Sequence, residues 1–184
     1  MKRIMDVVGS ALGLLLLLPV LAVVAVIIKL DSPGPIFFRQ ERVGRGGRSF
    51  RIFKFRSMVV GAARAGTALT VRADTRITRA GSFLRRSKLD ELPQLINVLV
   101  GQMSLVGPRM ICKAELEKYG SHKELLLTVK PGLTGYWQVN GRQEVNYEER
   151  VGMDLHYINN WSLAMDLKIL FKTPYAVLKR KGAY

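Results

Sequence analysis

This sequence predicts an α+β fold, a mostly helical membrane-associated unit with one small β-hairpin and amphipathic interfacial helices. Three observations carry that prediction. The stretch from Val7 to Ile28 is apolar apart from Gly9, Ser10, Gly13 and Pro19, and holds no charge. Aromatic and β-branched runs flank a "GRGG" turn at 44–47, as in a hairpin. Later segments carry apolar residues at helical spacing. A length of 184 residues suits one domain with a real core.

The apolar run, at about 1.5 Å per residue, covers roughly 30 Å of hydrocarbon. It is too long for a signal-peptide core, and no small-residue cleavage pattern precedes Lys29. Pro19 lies near its centre, where proline removes a backbone hydrogen bond and bends the helix. Lys2 and Arg3 precede the run, and Lys29, Arg39, Arg42, Arg45 and Arg48 follow it. Basic flanks stay cytoplasmic, so two of them permit a re-entrant helix that enters, bends at Pro19 and leaves on the same side. A proline-kinked spanning helix has the same composition and stays open.

A Pro/Gly turn at 32–35 leads into the hairpin, whose basic residues recur at 39, 42, 45, 48, 51 and 54. They form either a solvated or lipid-facing basic face, or a site for substrate phosphate that uses a few of them. From Val59 to Ala80 the chain is small, polar and weakly patterned, as in a mobile loop. Leu92, Leu95, Ile96 and Leu99 then mark one face of a helix. Asp90 and Glu91 fall in or just before its first turn, Pro93 is tolerated there, and Ser87 is placed to cap it. "MSLVGPRM" and "KPGLTGYWQVNGR" read as loops around a pocket. From about Tyr147 the apolar spacing is helical again, with Lys168, Lys172, Lys179 and Arg180 interspersed. Core packing and an anionic membrane surface explain that pattern equally.

Lys and Arg number 29 against 14 Asp and Glu, a formal charge of +15, which favours an anionic partner. Cys112 is the only cysteine, so neither a disulfide framework nor a zinc site is present, and neither His122 nor His156 has a recognisable triad context. The charge also suggests a membrane-tethered nucleic-acid binder, but no nucleic-acid motif accompanies it, and none is expected as partner.

Asp90 and Glu91 are adjacent acids in a basic chain. Glycosidase carboxylates stand roughly 5 Å or more apart across the scissile bond, which adjacency opposes. A division of labour fits better, with one carboxylate attacking phosphorus and its neighbour holding a divalent cation. Arg85 in "FLRRSK" and Arg109 in "VGPRM" are then available to neutralise phosphate charge. A surface pair serving a helix N-terminus, with Arg85 and Arg86 as ion-pair partners, has the same spacing.

With these motifs in view, the chain resembles the bacterial sugar transferases, monotopic phosphoglycosyl transferases that start glycan assembly on polyprenol phosphate. The resemblance runs through "KRIMDVVGSALGLLLLLP", "SPGPIFFRQERVGRGGRSFRIFKFRSM", "LRRSKLDELPQLINVLVGQMSLVGPR", "KPGLTGYWQVNGR" and "YINNWSLAMDLKIL", in that order. It implies transfer of sugar 1-phosphate from a UDP-sugar to undecaprenyl phosphate, with release of UMP, through an aspartyl phosphosugar. By motif position it implies Asp90 as nucleophile, Glu91 as the magnesium ligand, Arg85 and Arg109 as phosphate-binding arginines, and Asp166 as a further acid of the site region. It also implies a re-entrant helix, residues 1–30, broken near Pro19, and a catalytic domain, residues 31–184, on the cytoplasmic face of the bacterial inner membrane. Leu18 precedes Pro19 where some members carry a serine that helps organise the bend. Larger members carry further membrane helices, so this chain resembles the minimal form. Glucose or galactose is the expected sugar, and an apolar patch on the last helices suits either lipid or a second protomer.

Overall fold

The computed structural model describes residues 1–62, 74–141 and 145–179. Helix α1 (Lys2–Asp31) leads into an antiparallel hairpin, β1 (Phe37–Val43) and β2 (Ser49–Phe55), which pairs Phe37 with Phe55 and Val43 with Ser49. Helix α2 (Arg79–Ser87), a 3-10 segment (Leu89–Gln94) and α3 (Leu95–Leu99) follow, then β3 (Ser104–Val106). Short helices α4 (Lys113–Leu116) and α5 (Lys123–Leu127) precede β4 (Gly132–Thr134), and α6 (Tyr136–Asn140), α7 (Tyr147–Asn159) and α8 (Leu163–Leu178) complete the described chain. The α+β expectation is met.

Helix α1 is amphipathic in an unusual sense. One side is apolar and exposed, with Leu12, Leu15, Leu16, Leu18, Val23 and Val26 bare, and its best 18-residue window has a mean hydropathy of 3.1. Along the opposite side Leu14 and Leu17 join a core built from Phe50, Ile52, Leu95, Val98, Leu105, Tyr157 and Ile169. Further along, Val24 and Ile28 pack on Phe55 and Leu84. Gly9 makes the first of these contacts possible: a Cβ there would lie 2.7 Å from Leu105 Cδ1.

Both ends of α1 are fastened by polar side chains. At the start, Lys2 Nζ donates to Val106 O (2.9 Å) and pairs with Asp166 Oδ2 (2.5 Å). Arg3 donates to Val98 O and Leu99 O (both 2.7 Å), carbonyls at the C-terminal end of α3. Asp6 accepts from Ser104 Oγ (2.9 Å) and the Leu105 N–H (2.8 Å). At the far end Arg56 donates to Ser32 O (2.6 Å) and Pro33 O (2.8 Å), and Asp31 accepts from the Ala80 N–H (3.2 Å). Helix α1 is one helical element of 30 residues with Pro19 inside it. Pro19 is exposed, and its missing N–H removes one intrahelical hydrogen bond at the place where the bend is expected.

Three expectations change. Ser87 does not cap the segment after it; its Oγ donates back to Phe83 O (2.9 Å) and Leu84 O (3.2 Å), ending α2. Lys88 then takes a left-handed conformation (φ 60°), and Pro93, which has no N–H, stands in a tighter 3-10 turn ahead of α3. The two stretches read as loops contain β3 and β4, which pair in parallel through Ser104–Gly132 and Val106–Thr134. Of the loop expected from Val59 to Ala80, residues 63–73 lie outside the described residues, as does Arg180. The loop's ends are ordered: the Val59 N–H donates to Arg76 O (2.9 Å), and Thr78 caps α2 by accepting from the Gly81 N–H (2.9 Å).

Helices α7 and α8, with the turn between them, bury part of their apolar residues in the core and leave the rest exposed. Val151, Tyr157 and Ile169 are buried, whereas Trp161, Leu167, Phe171, Tyr175 and Leu178 are exposed, Phe171 at 83%.

Candidate active site

The two acids sit at the start of the 3-10 segment, which packs against β2. Strand β2 buries Ile52 and Phe55, while Lys54 reaches the acids. Its Nζ lies 2.9 Å from Asp90 Oδ2 and 3.3 Å from Glu91 Oε1. Asp90 is 1% exposed, and its second oxygen, Oδ1, is buried without a hydrogen-bond partner. Among the hairpin's basic residues, Lys54 is the one paired with both acids. Arg39 instead lies 3.8 Å over the Phe53 ring.

The carboxylates have different proton affinities. Burial raises Asp90 above its ordinary pKa against the pull of Lys54, and the Glu91 charge pushes the same way. Burial also works to raise Glu91, but Lys54, Lys88 and Arg109 outweigh it and hold that carboxyl at about 2. Lys54 is lowered by burial and raised further by Glu91 and Asp90, for a net upward shift that keeps it charged. Environments that separate two adjacent acids are how sites divide their roles.

Arg85 approaches from α2. That helix lies hard against the residue after next beyond β2, for a Cβ on Gly81 would stand 2.0 Å from Ser57 O. Arg85 Nε donates to Ser57 Oγ (2.8 Å); burial lowers its pKa and Asp90 opposes that shift. Arg109 is exposed on the loop after β3, its guanidinium 5.1 Å from the Trp137 ring centroid, and it acts electrostatically on Glu91. Arg85 and Arg109 thus both act on the acids through charge, Arg85 on Asp90 and Arg109 on Glu91. Asp166 is not joined to them by any hydrogen bond or ion pair: its partners are Lys2, Tyr157 (2.7 Å) and Trp161 (3.0 Å). It anchors the start of α1 to α8. Cys112 is half-buried before α4, its N–H donating to Glu115 Oε2 (3.1 Å).

Sequence reasoning did not single out Lys54 within the basic hairpin, nor the layer beneath Arg109. There Arg150, buried, lies 5.4 Å from the Trp137 centroid and 4.7 Å from that of Tyr147, and Tyr119 donates to Asp154 Oδ2 (2.9 Å). Arg150 and Asp154, four residues apart in "ERVGMD", were the available signal: two charges on one helical face otherwise apolar. Burial raises Asp154 to about 6, while Tyr119, Arg150 and the Arg109 backbone pull downward. An unfolded aspartate ionises near 3.8, so between about pH 4 and pH 6 the folded state holds more protons and stability falls as pH rises. Asp154→Asn removes that dependence. Thermal unfolding from pH 4 to 7 is expected to show the wild type losing about 2–3 kcal/mol relative to the variant across this window; a constant difference would count against the shift.

Among the described residues no cluster of three or more His, Cys, Asp or Glu is placed to hold a metal. Magnesium, however, commonly takes one or two carboxylates and completes its shell with substrate phosphate and water. Asp90 and Glu91 would supply such carboxylates: Glu91 is held ionised and Asp90 Oδ1 is unpartnered, while Lys54 already balances part of their charge.

A profile described as bacterial sugar transferase matches residues 1–180. The UDP-galactose-lipid carrier transferase of Erwinia amylovora is 48% identical over 199 residues, covering 100% of this chain and 42% of that protein. The UDP-glucose:undecaprenyl-phosphate glucose-1-phosphate transferase of Escherichia coli is 46% identical over 100% of the chain and 41% of its own length. Exopolysaccharide production protein ExoY of Sinorhizobium fredii is 41% identical over 100% of the chain and 88% of its own length. The chain thus spans less than half of the first two and most of the third.

Proposed function

The chain belongs to the bacterial sugar transferase family, and from that premise we propose that it transfers a sugar 1-phosphate from a UDP-sugar to undecaprenyl phosphate, releasing UMP. The observation that carries this reading is Asp90, buried, with Oδ2 paired to Lys54 and Oδ1 unpartnered. Similar proteins are named for galactose and for glucose, and glucose or galactose is the proposed sugar.

In the first step Asp90 Oδ1 attacks the sugar-bearing phosphorus. The bond to the UMP oxygen breaks, and UMP leaves with that electron pair. In the second step a phosphate oxygen of undecaprenyl phosphate attacks the same phosphorus, the Asp90 O–P bond breaks, and the carboxylate is regenerated. Lys54 holds Oδ2, so the carboxylate presents Oδ1 in a fixed orientation. Arg85 and Arg109 balance charge on the phosphoryl oxygens and the departing nucleotide. Magnesium bound through Glu91 would supply further neutralisation of the diphosphate.

The lipid substrate calls for a membrane position. We place the exposed apolar side of α1 and the bare aromatic residues of α8 in lipid, with the remainder on the cytoplasmic face of the bacterial inner membrane. Support comes from the polar fastenings at both ends of α1, since Lys2 and Arg56 join opposite ends of that helix to one folded body. A helix that delivered its two ends to opposite sides of a bilayer would leave one set behind. Same-side re-entry keeps both.

The test is UMP release by purified protein in detergent with undecaprenyl phosphate, magnesium and a panel of UDP-sugars. Parallel initial-velocity lines are expected as the two substrates are varied, because UMP departs before the lipid reacts. Intersecting lines would defeat the covalent route, and silence across the panel would defeat the assignment of the donor class.

A further inference from the structure

Gln94 is a polar side chain buried without a hydrogen-bond partner. The residue is 0% exposed, and neither Nε2 nor Oε1 has a hydrogen-bond partner. An amide that has lost water without replacement is unfavourable, and native proteins keep few such groups. Asn97, also 0% exposed, is the contrast. Its Nδ2 donates to Arg51 O (3.0 Å) and Gln102 Oε1 (2.7 Å), and its Oδ1 accepts from the Phe53 N–H (2.8 Å). Asn97 clamps α3 to β2; Gln94 clamps nothing.

Its position supplies a use. Gln94 closes the 3-10 segment whose first turn carries Asp90 and Glu91. Side chains three apart eclipse in a 3-10 helix, so Gln94 follows Glu91 on the same side, about 6 Å along the axis. Asp90 Oδ1 is the other unpartnered buried atom of this segment. An acceptor-only carboxylate oxygen and an amide with two donors and one acceptor thus stand unpartnered four residues apart in one short segment, and they are not bonded together.

We propose that Gln94 is a substrate-binding group, its Nε2 donating to a non-bridging phosphoryl oxygen of the sugar phosphate while that group is carried on Asp90, and its Oε1 accepting from a sugar hydroxyl. This rests on Asp90 as the nucleophile. Phosphorylation of Oδ1 brings two non-bridging oxygens into a place closed to water, where a preorganised donor acts strongly. A neutral donor suits this place, since another cation would hold the Asp90 carboxylate more tightly and weaken its attack.

The test uses the full chain, undecaprenyl phosphate and whichever UDP-hexose the wild type consumes fastest. Gln94→Met keeps the side-chain volume and removes both polar atoms, and Gln94→Leu repeats the test with a different shape. Each is expected to unfold at the wild-type temperature or about 2–6 °C above it, since an uncompensated amide has gone. UMP release is expected to fall about 100-fold, as for loss of one preorganised donor. A purely structural glutamine would move both readouts downward together, which would overturn the proposal. Activity within threefold of wild type in either variant would overturn it as well, while leaving the transfer reaction intact. Wild-type protein that releases no UMP would instead strike the reading of Asp90 on which the proposal rests.

Discussion

Asp90→Asn is expected to lower UMP release by about 10⁴-fold or more, the scale seen when a nucleophile acting in a concerted site is removed. Asparagine has the shape of aspartate, so packing is preserved, but its neutral amide oxygen cannot form the acyl phosphate. The side chain is buried and its burial opposes ionisation, so a neutral replacement also avoids the desolvation cost of a carboxylate. The variant should therefore unfold near the wild-type temperature. Intact-protein mass spectrometry after exposure to the UDP-sugar, without lipid acceptor, should find a hexose phosphate adduct on the wild type and none on the variant. Turnover above about 1% of wild type, or an adduct on the variant, would remove Asp90 from the mechanism and with it the role assigned to Lys54.

Lys54→Met should produce the largest change in stability. Lys54 is the ion-pair partner of both acids, at 2.9 and 3.3 Å, and the Asp90 side chain is only 2% exposed. Removing the cation leaves two adjacent carboxylates with one fewer compensating charge, a loss of about 3–5 kcal/mol for a buried pair. The deficit has a definite pH dependence. Without Lys54 both folded-state pKa values rise relative to wild type, so the variant is penalised wherever the acids must ionise. Protonation at low pH relieves that penalty. The gap between wild type and variant is expected to be smallest near pH 2, where Glu91 of the folded wild type begins to ionise, and to widen as pH rises from there, measured by thermal unfolding. A gap independent of pH would mean that Lys54 contributes packing alone. Activity should fall as well, because Asp90 Oδ2 is no longer held.

Local patterns were legible where the governing interactions are local. The apolar run of α1, the hairpin around its glycine turn and the helices α7 and α8 follow from side-chain periodicity, which packing uses directly. The adjacency of Asp90 and Glu91 excluded a paired-carboxylate glycosidase and suggested divided roles. Ser87 was misassigned because a serine before an acidic, apolar stretch has the same sequence signature whether it caps the next helix or ends the last. The left-handed turn at Lys88 decided between them. Pro19 lies within the helical element Lys2–Asp31, where its missing N–H leaves one backbone carbonyl without its helical donor. The parallel pairing of β3 with β4 was hidden because each contributes three residues, too few to show alternation.

By itself, the sequence determined the α+β class, the apolar N-terminal helix, the family and the adjacency of Asp90 and Glu91. Each depends on residue types at short spacing or on motifs in a fixed order. The tertiary structure alone decided that Lys54, 37 residues before Glu91, neutralises the acids, that Asp166 fastens Lys2, and that Gln94 is buried without a partner. Those outcomes depend on which surfaces meet when distant segments pack, and the desolvation and charge pairing that tune a buried group are set by neighbours that the linear order of residues does not place beside it.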